Sequence, residues 1–396
     1  MLKIYTPYCH LHKTDISITV QYQLPGTLNN IEEQVRVVNK INKGATMSNK
    51  MNTRVIKTAI IGYGFSAKTF HLPFIESLPE FEVSAISSSQ IDAVKQDWPN
   101  TAHYLSAEEM LQKSDTQLVI ITAPNDVHFS LAKLALENNK HVILEKPFVT
   151  NVADGQTLIA LAKEKGLILS VYHNRRWDGD FLTIKKLMAE KKLGNIKHFE
   201  SHFDRFRPNV VQRWRENTQD GGGILFDLGP HLIDQALQLF GLPDAITAQC
   251  KIMREGATNI DYFNLTLHYR DKLALLSASL FCAAPNLRFN IQGDRANYRK
   301  WGLDPQEDRL KAGVLPKTTD WGQENRDQYG HLYFEDSSQV AKTELGGYQH
   351  FFVQMAKAIN SGAKPPVLAE DALWNIKLIK LAMESSRLGK TMKVEL

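Results

Sequence analysis

The sequence predicts a two-part protein: an α/β doubly wound parallel sheet, then an α+β region with a large, mostly antiparallel open sheet. Three observations predict it. Between residues 55 and 171, apolar β-branched runs alternate with helix-compatible stretches, which implies parallel strands covered on both faces. Beyond Trp177 the rhythm changes to long alternating strands with few helices, the pattern of an antiparallel or mixed sheet. The chain has 396 residues, and chains beyond roughly 250–300 residues usually divide. The boundaries this gives are an N-terminal extension at 1–53, a first domain at 54–176 and a second at 177–396.

The first element is the run at 55–61, apolar and β-branched and ending at Gly62, which reads as a buried parallel strand. Helix-compatible sequence follows to about Ser77. Strands are then expected at 81–86, 118–122, 141–144 and 167–171, with helices at 91–97, 106–113, 126–138 and 151–165. Ser106 stands as N-cap with Glu109 at the capping-box position, and Gly166 closes the last helix. In the second part a helix at 179–192 precedes strands at 195–206, 245–254, 261–269, 273–281, 287–292 and 296–300. A helix is read over 225–240, a polar loop rimming a cleft over 301–345, and amphipathic helices over 348–360 and 369–388.

Composition excludes several classes. Apolar residues make up 43% and charged residues 23%, as in ordinary globular proteins, and no uninterrupted apolar run is long enough for a spanning helix. The net charge of +4 gives no concentrated basic stripe of the kind a nucleic-acid binder needs. Much of the excess lies in the first fifty residues, where Lys3, Lys13, Arg36, Lys40, Lys43 and Lys50 face only Asp15, Glu32 and Glu33. That segment lacks the features of a secretory signal or transit peptide. It is expected to be loosely packed or a start-site artefact, with Met47 or Met51 as the physiological start. Cys9, Cys250 and Cys282 are scattered without metal-ligand or disulfide spacing, which fits reduced thiols in a cytoplasmic protein. No metal site is expected.

Gly62-Tyr63-Gly64-Phe65-Ser66-Ala67 follows the first strand and opens a helix. It fits the G-x-G-x-x-G/A pattern of a Rossmann dinucleotide site. The first glycine permits the turn, the second lets a pyrophosphate approach, and small Ala67 lets the helix pack on the strand. Free N–H groups at the helix start then face the phosphates. The second strand ends in Ser87, Ser88 and Ser89 rather than a carboxylate, which leaves room for a ribose 2′-phosphate. With Lys68 as a nearby charge, the reading favours NADP, with NAD the other possibility.

Further motifs fall at strand ends: Thr122-Ala123-Pro124-Asn125-Asp126-Val127-His128, Glu145-Lys146-Pro147, and Gly221-Gly222-Gly223 leading to Asp227-Leu228-Gly229-Pro230-His231. In this order, from about Lys57 to the C-terminus, they resemble the Gfo/Idh/MocA family of oxidoreductases. The resemblance implies that Lys146 lies beside nicotinamide and substrate, where an ammonium can stabilise developing alkoxide charge. It implies His231 as general acid/base, with Asp227 holding the imidazole or contacting a substrate hydroxyl. On one continuous helix these two would share a face. Glu145 is read as orienting Lys146 or capping local backbone groups, and both residues are expected along the cofactor. Thr122, Pro124, Asn125 and His128 are expected along the cofactor, His128 mainly packing or capping. Asn174, Arg176 and Trp177 are expected at the substrate.

The function expected is an NAD(P)-dependent dehydrogenase or reductase acting on CH–OH groups of a sugar, polyol or derivative, as a homodimer or dimer-based tetramer. Two rivals remain open from sequence: a dinucleotide-binding sensor without chemistry, and a lyase that uses bound NAD transiently. A sensor need not keep Lys146, Asp227 and His231 together.

Overall fold

The computed structural model describes residues 54–210, 221–318 and 320–395. The expectations for the N-terminal extension fall outside them. Six parallel strands form the first sheet: β1 (Ile56–Ile61), β2 (Phe81–Ser87), β3 (Ala102–Tyr104), β4 (Leu118–Ile121), β5 (His141–Leu144) and β6 (Leu169–Val171). Their order is β3-β2-β1-β4-β5-β6. The chain moves outward on one side of β1 and then returns to build the other side, so β1 and β4 flank the switch point where ligands bind in such sheets. β4 is fully buried, as its unbroken apolar sequence requires of a strand covered on both faces.

The helices between these strands are α1 (Leu72–Ser77), preceded by a π-helical turn at Ala67–His71, α2 (Ile91–Asp97), α3 (Ala107–Lys113), α4 (His128–Glu137) and α5 (Val152–Glu164). Ser106 caps α3 by accepting from Glu109 N at 3.1 Å, and Asn151 caps α5 through Ala153 N at 2.9 Å. Gly166 follows α5 with φ +62. The short strand β3 is an addition to the predicted elements; three residues are too few to show a period.

The second sheet has nine strands in the order β14-β13-β12-β11-β7-β10-β9-β8-β15. They are β7 (Ile196–His202), β8 (Ala245–Lys251), β9 (Tyr262–His268), β10 (Leu273–Ser279), β11 (Leu287–Gly293), β12 (Asn297–Trp301), β13 (Gly330–Tyr333), β14 (Ser338–Ala341) and β15 (Met392–Lys393). β7 and β10 pair in parallel; the other pairings are antiparallel. Along β9, buried and half-buried residues alternate, so one face packs on the core. The helices here are α6 (Gly179–Ala189), α7 (Gly223–Asp227), α8 (Gly229–Phe240), α9 (Gln306–Lys311), α10 (Gln349–Ser361) and α11 (Ala369–Leu388).

Two readings are corrected. The segment 301–345 is not simply a loop: it carries α9, β13 and β14. Its polar composition reflects edge strands, since β14 is largely exposed. The helix read over 225–240 is broken at Leu228, with α7 before it and α8 after it. Pro230 lies in the first turn of α8, where a missing N–H costs a new helix nothing but would interrupt an old one.

Candidate active site

The β1 carboxyl end turns at Gly62, whose φ of +92 suits only glycine. Its N–H donates to Ser87 O at 2.9 Å, tying the turn to the end of β2. A Cβ on Gly62 would stand 3.0 Å from Thr122 Oγ1, whereas one on Gly64 would meet nothing within 4 Å. Gly64 therefore faces open space. That space is a cavity of about 450 Å³ along the carboxyl ends of the strands. Residues Gly62, Tyr63, Gly64, Phe65 and Ser66 form one side. Ser87 and Ser88 close the β2 end, and Thr122, Pro124, Asn125 and His128 line the β4 end. Glu145 and Lys146 complete the lining. Ala67 lies beneath the turn, fully buried, where a small residue lets helix approach strand.

Several side chains have other work. Thr122 Oγ1 donates toward the carbonyls of Ile61 and Gly62, at 3.1 and 3.0 Å. Asn125 Nδ2 donates to Gly221 O at 3.0 Å, linking this loop to the glycine-rich run. His128 is buried with its ring nitrogens 2.9 Å from Pro147 O and 3.0 Å from Ala123 O, and burial pushes its pKa down. Lys68 is turned away from the serines: its ammonium sits 3.0 Å from Asp97 and over the Tyr63 ring. It does not line this cavity.

A second cavity, of about 480 Å³, shares Phe65, Ser66, Glu145 and Lys146 with the first. Lys146, Asp227 and His231 all line it. The Lys146 ammonium donates to Asp227 Oδ1 at 2.9 Å and to Asp227 O at 2.8 Å. The other carboxylate oxygen of Asp227 accepts from Arg205 Nη1 at 3.2 Å. His231 lies beyond the helix break, and its Nδ1 is buried without a hydrogen-bond partner. The sequence reads Asp227 as holding the imidazole or contacting a substrate hydroxyl; among the described residues, Lys146 and Arg205 hold its carboxylate. Burial, then the positive charges of Lys146 and Arg175, push the His231 pKa well below its usual value, so the neutral imidazole faces the cavity.

Asn174 lines the second cavity; Arg176 and Trp177 do not. The segment Asn174–Trp177 is a 3₁₀ turn, so successive side chains diverge. Arg176 is clamped by Asp234 through Nε at 2.8 Å and Nη2 at 2.7 Å, with Asp371 at 3.2 Å. Trp177 packs edge-on against Phe351. Arg175 takes the place read for Arg176: it lines the cavity and pairs with Glu307 and Asp178. Other lining residues that sequence reasoning missed are Phe203, Arg205 and Glu307. The Arg205 guanidinium lies 5.1 Å from the Phe203 ring centroid, within reach of a cation–π contact. The run His202-Phe203-Asp204-Arg205, arginine and aromatic beside acid at a strand end, was the available signal. Among the described residues, no three His, Cys, Asp or Glu side chains group to hold a metal ion.

A groove along the strand ends thus meets a polar cavity at a wall made of Phe65, Ser66, Glu145 and Lys146. Residues 56–173 match the family model for an oxidoreductase family NAD-binding Rossmann fold, and residues 185–396 match that family's C-terminal alpha/beta domain. The chain belongs to the Gfo/Idh/MocA oxidoreductase family. Within it, the chain is 44% identical to YdgJ of Escherichia coli K12, an uncharacterized oxidoreductase, over 84% of this chain and 96% of that one. It is 41% identical to IolW of Bacillus subtilis 168, a scyllo-inositol 2-dehydrogenase (NADP(+)), over 86% and 96%. The solved structure of YvaA from Bacillus subtilis superimposes with a TM-score of 0.84 at 39% identity, covering 87% of this chain and 99% of that one. As a Gfo/Idh/MocA protein it binds NAD(P) through the first sheet, and the open space before Gly64 fits a pyrophosphate.

Proposed function

We propose that this protein is an NADP-dependent dehydrogenase acting on a secondary alcohol of a polyol or sugar, in the manner that IolW is named for. The observation that carries the reading is the Lys146–Asp227 pair at 2.9 Å, with Lys146 on the wall shared by the two cavities and Asp227 lining the second. The walls of the second cavity alternate donors and acceptors, with Lys146, Arg175, Arg205 and Asn174 beside Asp227 and Glu307. That suits several hydroxyl groups better than an apolar or singly charged ligand. The serine-lined end of β2 supports a 2′-phosphate.

Gly62 to Ser66, with Ser87 and Ser88, would hold the dinucleotide. When bound, its nicotinamide accepts or supplies the hydride. Lys146 donates a hydrogen bond to the substrate oxygen and stabilises negative charge as it develops there. Asp227 fixes the ammonium in place. The neutral His231 ring takes the hydroxyl proton in oxidation and returns it in reduction. Arg205 and Asn174 orient the remaining hydroxyls. We expect a cytoplasmic homodimer or dimer-based tetramer joined through the open face of the second sheet.

The test is a fluorescence titration of the protein with NADPH and, separately, NADH, followed by assays of inositols and aldoses with the preferred nucleotide. Tighter NADPH and an absorbance change with a polyol are expected. Lys146→Ala should then lose about a hundredfold to a thousandfold in turnover, the scale of removing a key electrostatic group, while NADPH affinity is largely kept. Binding of neither nucleotide would overturn the reading.

A further inference from the structure

The wall between the two cavities is centred on the Glu145 side chain. Glu145 is buried and lines both cavities. Its Oε1 accepts from Ser66 Oγ at 2.5 Å and lies 2.8 Å from His71 Nε2. Its Oε2 accepts from Lys146 N at 3.0 Å. Ser66 belongs to the glycine turn, His71 ends the π-helical turn that follows, and Lys146 carries the ammonium bound to Asp227. One carboxylate therefore ties the cofactor loop to the backbone of the reactive lysine.

His71 is fully enclosed. Its ring centroid is 4.4 Å from that of Tyr172 and 5.9 Å from that of Phe352. Among the described residues its Nδ1 has no hydrogen-bond partner, and the polar contact of the ring is with Glu145. A packing role alone would be met by leucine or phenylalanine, which leave no buried nitrogen to satisfy. A histidine here is explained by the bond it makes to the carboxylate.

We propose that His71 is a positioning residue: with Ser66 it fixes the Glu145 carboxylate as an anion in the shared wall, where it counters the positive charge of an oxidised nicotinamide. The inference rests on the nicotinamide-dependent reading above. Oxidised nicotinamide is a cation and reduced nicotinamide is neutral, so a fixed anion in the cofactor wall favours the first selectively. Burial alone would push the Glu145 carboxyl up, but the hydrogen bond and charge of His71, then the Ser66 hydrogen bond and the Lys146 charge, outweigh it and hold the group at about 2. Three other ionisable groups face Glu145. The Lys146 ammonium is turned to Asp227. His128, at the start of α4, is pushed down by burial. Tyr172, just past β6, is pushed up by burial. Neither of the last two is set to change charge near neutral pH.

The readout is the ratio of NADP⁺ to NADPH affinity from about pH 5 to about pH 9, a window in which an ordinary carboxylate stays ionised. NADPH affinity comes from its fluorescence and NADP⁺ affinity from displacement. Ionisation of the 2′-phosphate affects both nucleotides and cancels in the ratio. The wild-type profile is the reference against which the variants are read. His71→Leu removes the donor and leaves burial dominant, so Glu145 should take up a proton inside the window. The ratio should then shift toward NADPH by about tenfold on the acid side, the equivalent of one pK unit. His71→Gln, whose amide can donate to the same oxygen, should keep Glu145 ionised and remove the acid-side shift seen in His71→Leu. Ser66→Ala, which removes the second donor without disturbing the aromatic packing, should give a smaller shift of the same sign. It serves if His71→Leu does not fold. A folded His71→Leu protein whose ratio follows the wild-type profile across the window overturns the inference, as does an unshifted Ser66→Ala ratio in that second case. Failure of the wild-type protein to bind either nucleotide would instead remove the nicotinamide reading on which the inference stands.

Discussion

His231 meets the second cavity with a ring that burial and neighbouring cations keep neutral. The sign of that effect fixes a pH dependence. A histidine whose pKa is depressed keeps its basic form as the solution is acidified through the ordinary value of 6.5, and loses it only at lower pH. In the direction of alcohol oxidation the neutral ring is the active form. The acid limb of kcat/KM should therefore lie below pH 6.5, and His231→Asn should abolish the limb together with most of the turnover. A limb at or above the ordinary value would mean that His231 is not the proton acceptor. The sequence reading puts His231 with Lys146 and Asp227, and all three line one cavity; the partners of Asp227 were not readable. The Asp227–His231 spacing suggests a mutual bond only while the helix is continuous. The break at Leu228 hands the carboxylate to Lys146 and Arg205. Those two lie 81 and 22 residues away along the chain, beyond any local spacing rule.

The turn between β1 and the π-helical segment shows what an element takes from its glycines. Gly62 and Gly64 are two residues apart and do different work. At Gly62 the backbone has φ +92 and an added Cβ would crowd Thr122; at Gly64 an added Cβ would meet only open space. Gly62→Ala should cost about 1–3 kcal/mol of stability, the range for a residue forced into such a conformation. Gly64→Ala should leave the melting temperature of the unliganded protein nearly unchanged and weaken NADPH binding, because the methyl group projects where the pyrophosphate must approach. Calorimetry with and without NADPH separates the two. Equal loss of stability in both variants would mean that the space before Gly64 is not used by ligand. Strands β1, β2 and β4 and the capped helices α3 and α5 were legible because each carries its own signal: buried apolar runs, or a side-chain cap. Strand β3 and the elements within 301–345 were not, because a short or edge strand borrows its conformation from the neighbour to which it pairs.

Across the whole molecule, the last helices belong to the first core as much as to the second. Tyr348, Phe351, Phe352 and Met355 of α10 and its N-terminal flank pack in one cluster with the strands of the first sheet. Phe352 stacks on Phe74 with ring centroids 5.2 Å apart. Helix α11 gives Ala372, Leu373 and Ile376 to the first core and Leu378, Ile379 and Ala382 to the second. Nothing local in the sequence marks this, since the hydrophobic face of an amphipathic helix says that it packs and not where. The consequence is that the strand–helix series at 54–176, which reads as a self-sufficient domain, lacks part of its own core. Expressed alone, that fragment should show helical far-UV circular dichroism but weak near-UV signal and no cooperative urea transition, the signature of a core left unfilled. In the intact chain, Phe352→Ala should lower stability by about 3–5 kcal/mol, the usual cost of removing a buried aromatic ring. It should also weaken NADPH binding, since the same aromatic cluster encloses His71 and Tyr172 and through His71 reaches Glu145. A fragment that unfolds cooperatively and binds NADPH like the full chain would show instead that the first sheet closes its core without the C-terminal helices.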